Sequence, residues 1–194
     1  MAGTLVANCS TIAVSGINNT LNDTIFCPQF DSGLGALQSI QITINGSSDE
    51  TLGITNHNGV DEIVTIAGEE DFTVSAIPGF TFPSALFSAL NTITPFVPGD
   101  NVTHDYSYSV SGSGDLGMNT TSLASYIGSG TFGIGVSAAN NTTVSGKAVG
   151  SFPVAAATSA TAAVTYTFTP EPASFLLAGC SLAALALVLR IRRA

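Results

Sequence analysis

Positive charge is scarce in this sequence, and nearly all of it lies at one end. Only four of the 194 residues are Lys or Arg, against 13 Asp and Glu, and the formal net charge is −9. Arg190, Arg192 and Arg193 close the chain, which leaves only Lys147 for the rest of it. Nucleic acids and anionic lipid headgroups are bound through Lys and Arg. The acidic body therefore excludes nucleic-acid binding.

Charged residues of both signs are few, at 9% of the chain, where soluble proteins average about a quarter. Thr, Ser, Asn and Gly take the polar positions instead, which suits the surface of an exported protein. Hydrophobic residues reach 45%, and this excludes intrinsic disorder, which requires low hydrophobicity. The length predicts one domain with its own core, residues 1–168, followed by a tail, residues 169–194.

Cysteine is also scarce: Cys9 and Cys27 lie in the body, and Cys180 lies in the apolar tail. No second Cys or His pair accompanies the first two, which argues against a zinc site. In an exported protein Cys9 and Cys27 are a candidate disulfide, and the alternative is two unpaired thiols buried as small hydrophobic residues. The sequence leaves both alternatives open.

Residues typical of catalysis or metal binding are few. The two histidines, His57 and His104, lie in no motif that supplies a nucleophile or carboxylate, and we expect them at exposed loop or edge positions. The acidic cluster Glu69, Glu70 and Asp71 lacks the alternating Asp and Asn ligands of a calcium loop, and we interpret it as a solvated turn. We therefore expect no enzyme activity, no metal and no cofactor.

What the sequence does contain is a succession of short alternating segments. In "LQSIQITING" the residues Ile40, Ile42 and Ile44 alternate with polar residues, and similar segments recur about every ten residues. This pattern predicts an all-β antiparallel sandwich of jelly-roll or immunoglobulin-like type. Six residues are predicted to point into its core: Ile42, Ile44, Phe72, Val74, Val164 and Tyr166.

Three segments are predicted to end or border the strands. Asn45 and Gly46 are a typical turn pair. Residues 84–93 carry helical spacing, and we expect either a helix or a loop there. The stretch rich in Thr, Ser and Ala at residues 155–163 is interpreted as an edge strand and a connection.

The tail contains an uncharged apolar run at residues 173–189. As a helix this run would extend about 25 Å, close to the roughly 30 Å of the hydrocarbon layer, and a single transmembrane helix is predicted. Arg190, Arg192 and Arg193 follow it directly. Because Lys and Arg stay on the cytoplasmic side, the body should lie outside and the C-terminus inside.

The order of Pro170, Glu171 and Pro172, an apolar helix and an arginine-rich end resembles the PEP-CTERM sorting signal of Gram-negative bacteria. The resemblance covers only the tail. It implies recognition by an exosortase, a membrane transpeptidase that supplies the catalytic residues and cleaves near the Pro-Glu-Pro motif. It also implies an inner-membrane precursor, a processed form in the cell envelope or outside the cell, and an association with exopolysaccharide.

The body resembles a second family, the choice-of-anchor E domain, in the stretch "FCPQFDSGLGALQSIQITING" and in the closing "AAVTYTFTP". That family has no assigned activity, so the resemblance implies an architecture. We therefore expect a non-enzymatic protein of the cell envelope or extracellular matrix. The alternative is a carbohydrate-binding surface module held by a plain membrane anchor, with Tyr106, Tyr108 and Phe132 as candidate contacts.

The N-terminal stretch "MAGTLVANCSTIAVSG" departs from the pattern of exported proteins. It has neither the basic segment nor the apolar core of a signal peptide. We expect the true start of the protein to lie upstream, and the alternative is that export is impaired.

Overall fold

The computed structural model describes residues 2–17, 20–75, 77–81, 85–147 and 149–171, and the chain is all-β within them. The strands in chain order are β1 (Gly3–Gly16), β2 (Leu21–Pro28), β3 (Ala36–Asn56), β4 (Glu62–Ile63), β5 (Thr65–Val74), β6 (Phe87–Ile93), β7 (Phe96–Val97), β8 (Thr103–Asn119), β9 (Thr131–Asn140), β10 (Thr143–Ser145) and β11 (Val149–Thr169). Two short 3₁₀ turns, at Ser32–Leu34 and Leu123–Tyr126, lie in the connections.

The long strands form two antiparallel sheets. In the first sheet the order is β1-β11-β3-β8. In the second sheet β5 pairs with β6 along one edge. Along its other edge β5 pairs first with β10 and then with β9. β9 pairs in turn with β2. β4 and β7 pair separately as a short ribbon. The two sheets pack face to face as a sandwich, with β1 against β2 and β6 against β8.

The longest pairing joins β3 and β11, which are 21 residues each and pair along almost their whole length. Val164 lies opposite Ile42, so inner residues of the two strands form common rows. Residues 155–163 belong to β11, which has β1 on one side and β3 on the other. The predicted edge strand is therefore wrong, because edge or central position depends on a strand's partners, which its composition does not specify.

The core lies between the sheets and is built from alternate residues of each strand. Five of the six predicted core residues are buried, and the sixth, Val74, packs against the core from its margin. The predicted inner face of these strands is confirmed. Phe72 also stacks on Phe87, with ring centroids 4.8 Å apart. Each fully buried large apolar side chain contributes roughly 1.5–3 kcal/mol, so this face stabilises the sandwich.

Two glycines make room for aromatic rings that reach across from the opposite sheet. Gly46 on β3 lies against the ring of Phe72, and Gly68 on β5 lies against the ring of Tyr108. A Cβ atom at either glycine would overlap the ring. Asn45 and Gly46 lie within β3, so the predicted turn is wrong. The strand continues here because Gly46 takes an inner position on which Phe72 packs.

Residues 87–93 form β6, so the expectation of a helix or a loop at residues 84–93 is wrong for this part. β6 pairs with β5, from Phe87 opposite Phe72 to Ile93 opposite Ile66. Ala89 is buried, whereas Leu90 is 68% exposed, so successive side chains alternate as in a strand. Backbone pairing with β5 overrides the local helical spacing.

Cys9 on β1 and Cys27 on β2 form a disulfide, with their Cα atoms 4.3 Å apart. β1 lies at the edge of the first sheet, and β2 lies at the edge of the second. The bond therefore links the two sheets along one side of the sandwich.

The tail lies almost entirely outside the described residues. β11 ends at Thr169, and Pro170 and Glu171 follow it. The predicted transmembrane helix at residues 173–189 lies outside the described residues, as do Pro172 and the three C-terminal arginines. Among the residues that the structure does describe, no helix has the length and hydropathy needed to cross a membrane.

Replacing Gly68 with Ala should lower the melting temperature by several degrees. The added methyl group would meet the ring of Tyr108 in a packed interior, and overpacking of this kind costs about 1–3 kcal/mol. Gly150→Ala is the control, because a methyl group there would make only an ordinary contact with His57. Thermal unfolding followed by circular dichroism compares the two variants, and equal melting temperatures would contradict this packing.

Candidate functional site

A cavity of about 390 Å³ lies between the two sheets. Its polar lining consists of Ser48, Glu50, Glu70, Asn140, Thr142 and Thr158. Thr20 and Ser151, which are both exposed, also line it and mark where it opens to solvent. A polar cavity inside an otherwise apolar sandwich is the strongest candidate for a functional site in the described part of the chain.

Strand periodicity brings two carboxyl groups to this cavity. On β3 the even-numbered residues point inward from Ile42, and the same alternation places Glu50 inside. On β5 the inward positions run from Ile66 to Glu70 in the same way. Because β3 and β5 belong to opposite sheets, the two glutamates approach each other from opposite sides of the interior.

Three neutral groups donate hydrogen bonds to one oxygen of Glu50. Its Oε2 accepts from Asn140 Nδ2 at 2.8 Å, from Thr142 Oγ1 at 3.0 Å and from the hydroxyl of Tyr108. The backbone N–H of Thr142 donates to Asn140 Oδ1 at 2.9 Å, which orients the amide group. Burial, reinforced by Glu50, raises the pKa of Tyr108 well above its ordinary value, so its hydroxyl remains a donor.

Glu70 is much less well satisfied. It is only 1% exposed, and its Oε1 has no hydrogen-bond partner. Its Oε2 accepts a long hydrogen bond of 3.4 Å from the same Asn140 Nδ2. The pKa of Glu70 is raised from 4.5 to about 7, mainly by burial and also by the charges of Glu50 and Asp71, while the polar side chains of Asn140 and Ser48 oppose the rise. This carboxyl group is therefore close to half protonated at neutral pH.

The arrangement can accept hydrogen bonds from a ligand and can exchange a proton near neutral pH. Leu52, Val144 and Pro153 supply apolar surface beside the carboxyl groups. No Lys, Arg or His is found among the described residues that line the cavity. The negative charge of the site is therefore stabilised by neutral donors rather than by an ion pair.

The sequence analysis singled out Glu70 but interpreted it wrongly. Glu69, Glu70 and Asp71 lie within β5 rather than in a solvated turn, and the alternation of the strand turns Glu70 inward. Glu50 and Asn140 were missed as site residues. The sequence did contain a signal for Glu50. When the alternation that begins at Ile42 is continued along the strand, position 50 falls on the inner face. Within the described ranges, no group of three or more His, Cys, Asp or Glu could hold a metal ion.

The two histidines are not part of the cavity lining. His57 is exposed, and its Nδ1 lies 2.9 Å from Asn101 Oδ1. His104 lies on the edge strand β8, and its Nε2 lies 2.9 Å from a carboxylate oxygen of Asp100. The backbone N–H of Val102, and then His104, lower the pKa of Asp100. These are the exposed and edge positions that the sequence predicted.

The three aromatic residues considered for sugar contacts do not form an exposed face. Tyr108 is buried at the cavity, and Phe132 packs edge-on against Tyr126 with ring centroids 4.9 Å apart. The hydroxyl of Tyr106 donates to the carbonyl oxygen of Phe96 at 2.9 Å. The alternation of their strands turns Tyr108 into the interior and leaves Tyr106 and Phe132 half-buried.

Comparisons with known proteins give little guidance. No family model matches the chain, and no curated protein does. Among solved structures, the VP2 subviral particle of infectious bursal disease virus aligns at a TM-score of 0.14 and 10% identity, over 99% of this chain and 49% of that chain. A structure of the Gx strain of the same virus aligns at a TM-score of 0.13 and 12% identity, over 89% of this chain and 43% of that chain. The chain thus spans less than half the length of these solved chains, and such TM-scores support no conclusion.

Glu70 should make the protein more stable at mildly acidic pH than at alkaline pH. Because folding raises its pKa from 4.5 to about 7, the folded state binds the proton more tightly, and this stabilisation is lost as the pH rises through 7. We expect the free energy of unfolding to fall by about 2 kcal/mol between pH 5 and pH 8. Chemical denaturation at both pH values measures the change.

The Glu70→Gln variant should lose this pH dependence, because Gln does not titrate. Glu69→Gln removes a carboxyl group from the neighbouring position, which is less buried, and should keep the dependence. The assignment to Glu70 is wrong if both variants retain the slope of the original protein.

Proposed function

We propose that this chain is a non-enzymatic, exported protein of the bacterial cell envelope or extracellular matrix, sorted through its C-terminal tail. The observation that carries the proposal furthest is the disulfide between Cys9 and Cys27, which links the two sheets. Disulfides persist in oxidising compartments and are rare in the cytosol. A body that is closed by such a bond suits a protein that folds outside the cytoplasm.

The surface charge and the position of the sorting motif support the same proposal. The acidic body has few charged residues and many Thr, Ser and Asn side chains. The proposed motif Pro170, Glu171 and Pro172 begins directly after β11 ends, and Glu171 is exposed. A membrane-embedded exosortase could therefore reach the motif without unfolding a strand.

We further propose that the sandwich is a jelly roll rather than an immunoglobulin-like fold. The strand order β1-β11-β3-β8 in one sheet, packed on β6-β5-β9-β2 in the other, supports this assignment, since both sheets mix strands from the two ends of the chain. The resemblance of the tail to the PEP-CTERM signal supports a structural or matrix role, with exopolysaccharide as a partner, and the choice-of-anchor E resemblance of the body bears only on its architecture. In this proposal the precursor is a single-pass inner-membrane protein with its body outside.

In a host that has an exosortase, the mature protein should lack the segment after about Glu171. The arginine-rich end would hold the precursor in the membrane until the enzyme cuts near the Pro-Glu-Pro motif. Mass spectrometry of the C-terminus of the isolated protein measures this. An intact end, Arg190 to Ala194, in such a host would contradict the sorting proposal and leave a plain membrane anchor.

The Glu171→Ala variant should remain uncut and stay in the inner membrane. Asp105→Ala is the matched control, because it removes an exposed carboxylate from β8, away from the motif. The control should be processed like the original protein. Cleavage of both variants to the same extent would show that Glu171 is not part of the recognition element.

A further inference from the structure

The cavity contains a buried acceptor that the protein itself leaves unused. Glu70 is one of the residues that line the cavity, it is only 1% exposed, and its Oε1 has no hydrogen-bond partner. A buried polar atom without a partner costs about 1–3 kcal/mol, and more if it is charged. A donor from outside the chain would remove this cost by supplying the missing bond. The geometry therefore calls for a ligand with a donor at this point.

The size and chemistry of the cavity argue against a metal ion as that ligand. A volume of about 390 Å³ accommodates a small organic molecule, which is far larger than a bare ion. Asn140 turns its NH₂ group toward the two carboxyl groups, and its oxygen is taken by the N–H of Thr142. A cation bound through oxygen ligands would instead require that oxygen to face it.

The charge of the site selects among organic ligands. Glu50 and Glu70 approach each other in the interior, and every group that donates to Glu50 is neutral. A neutral ligand would supply a hydrogen bond but would leave the negative charge uncompensated. A ligand with an ammonium group supplies both the donor and the opposite charge. Its carbon skeleton can lie against Leu52, Val144 and Pro153.

We propose that this cavity binds a small organic cation through a primary ammonium group that donates to the carboxylate of Glu70. An alkylamine and an amino sugar carry the same group, and both fit this description. The proposal concerns the body of the protein and does not depend on how the tail is sorted. Failure of the sorting experiment would therefore leave it unaffected, and the reverse also holds.

Binding should be linked to the protonation of Glu70. Of the titratable groups around it, Glu50 on β3 and Asp71 on β5 raise its pKa, and Tyr108 on β8 stays neutral. The strands β6, β9 and β10 contribute no charged residue. Because only the ionised carboxylate pairs with an ammonium group, affinity for an alkylammonium ion, which keeps its proton over this range, should rise about tenfold between pH 6 and pH 8 for a pKa of about 7.

The experiment uses the full chain in a non-ionic detergent and follows backbone amide shifts of Leu52 and Thr142 by NMR. The ligands are n-butylammonium, with n-butanol as its neutral counterpart, and glucosamine, with glucose as its neutral counterpart. Both amides should shift saturably with at least one ammonium compound and with neither neutral compound. Whichever ammonium compound binds more tightly identifies the source, alkylamine or amino sugar.

Variants and a proton count complete the test. Glu70→Gln should abolish the shifts, whereas Glu69→Gln, with the same change of charge on the same strand, should keep them. Calorimetry of the unaltered protein in two buffers of different ionisation enthalpy should detect the release of about half a proton per n-butylammonium bound at pH 7. This last measurement needs no variant, so a folding defect in Glu70→Gln would not obscure the result.

Three outcomes would overturn the proposal. The first is no binding of either ammonium compound. The second is equal binding of the ammonium compounds and their neutral counterparts, which would identify an uncharged ligand. The third is binding of n-butylammonium without proton release and with unchanged affinity in Glu70→Gln, which would locate the ammonium group elsewhere.

Discussion

The pairing of β3 with β11 decides which side chains enter the interior of the sandwich. These two strands, 21 residues each, lie side by side at the centre of the first sheet, with β1 and β8 added outside them. Since side chains alternate along a strand, one register decides which residues enter the interior over the whole length. A shift by one residue would expose the row that includes Ile42 and Val164, and would turn their polar neighbours inward.

The same register that builds the apolar core also produces the polar cavity. Along β3 the inner row passes from Ile42 and Ile44 through Gly46 to Ser48 and Glu50 without any change of face. The polar pair is followed on the same row by buried Leu52 and Ile54, so apolar core residues lie on both sides of it. Burial of Glu50 is tolerated because Tyr108 on β8, Asn140 on β9 and Thr142 in the connection after β9 donate to it. Stability and the candidate site thus come from one backbone arrangement.

Glu70 is the exception in this arrangement, because its neighbours satisfy it only in part. The single Nδ2 of Asn140 serves both carboxyl groups, at 2.8 Å for Glu50 and 3.4 Å for Glu70. Because Asn140 lies closer to Glu50, Glu70 receives only a weak hydrogen bond, and its Oε1 has no hydrogen-bond partner. Sites that bind ligands commonly retain such unmet hydrogen-bonding capacity, whereas purely structural polar clusters close it.

Alternation and composition are local properties, so they were enough to predict the strand class, the inward residues of most strands and the charge of the body. Ile42, Phe72 and Tyr166 were identified from two-residue periodicity alone, and each is buried. Only the tertiary structure decided that residues 87–93 join β5 as a strand and that Cys9 meets Cys27. It also brought Glu50 and Glu70 together, although they lie on opposite sheets. These contacts depend on which strands become neighbours. Hydrogen bonding between segments that are distant in the sequence decides this, and a local sequence pattern contains no information about it.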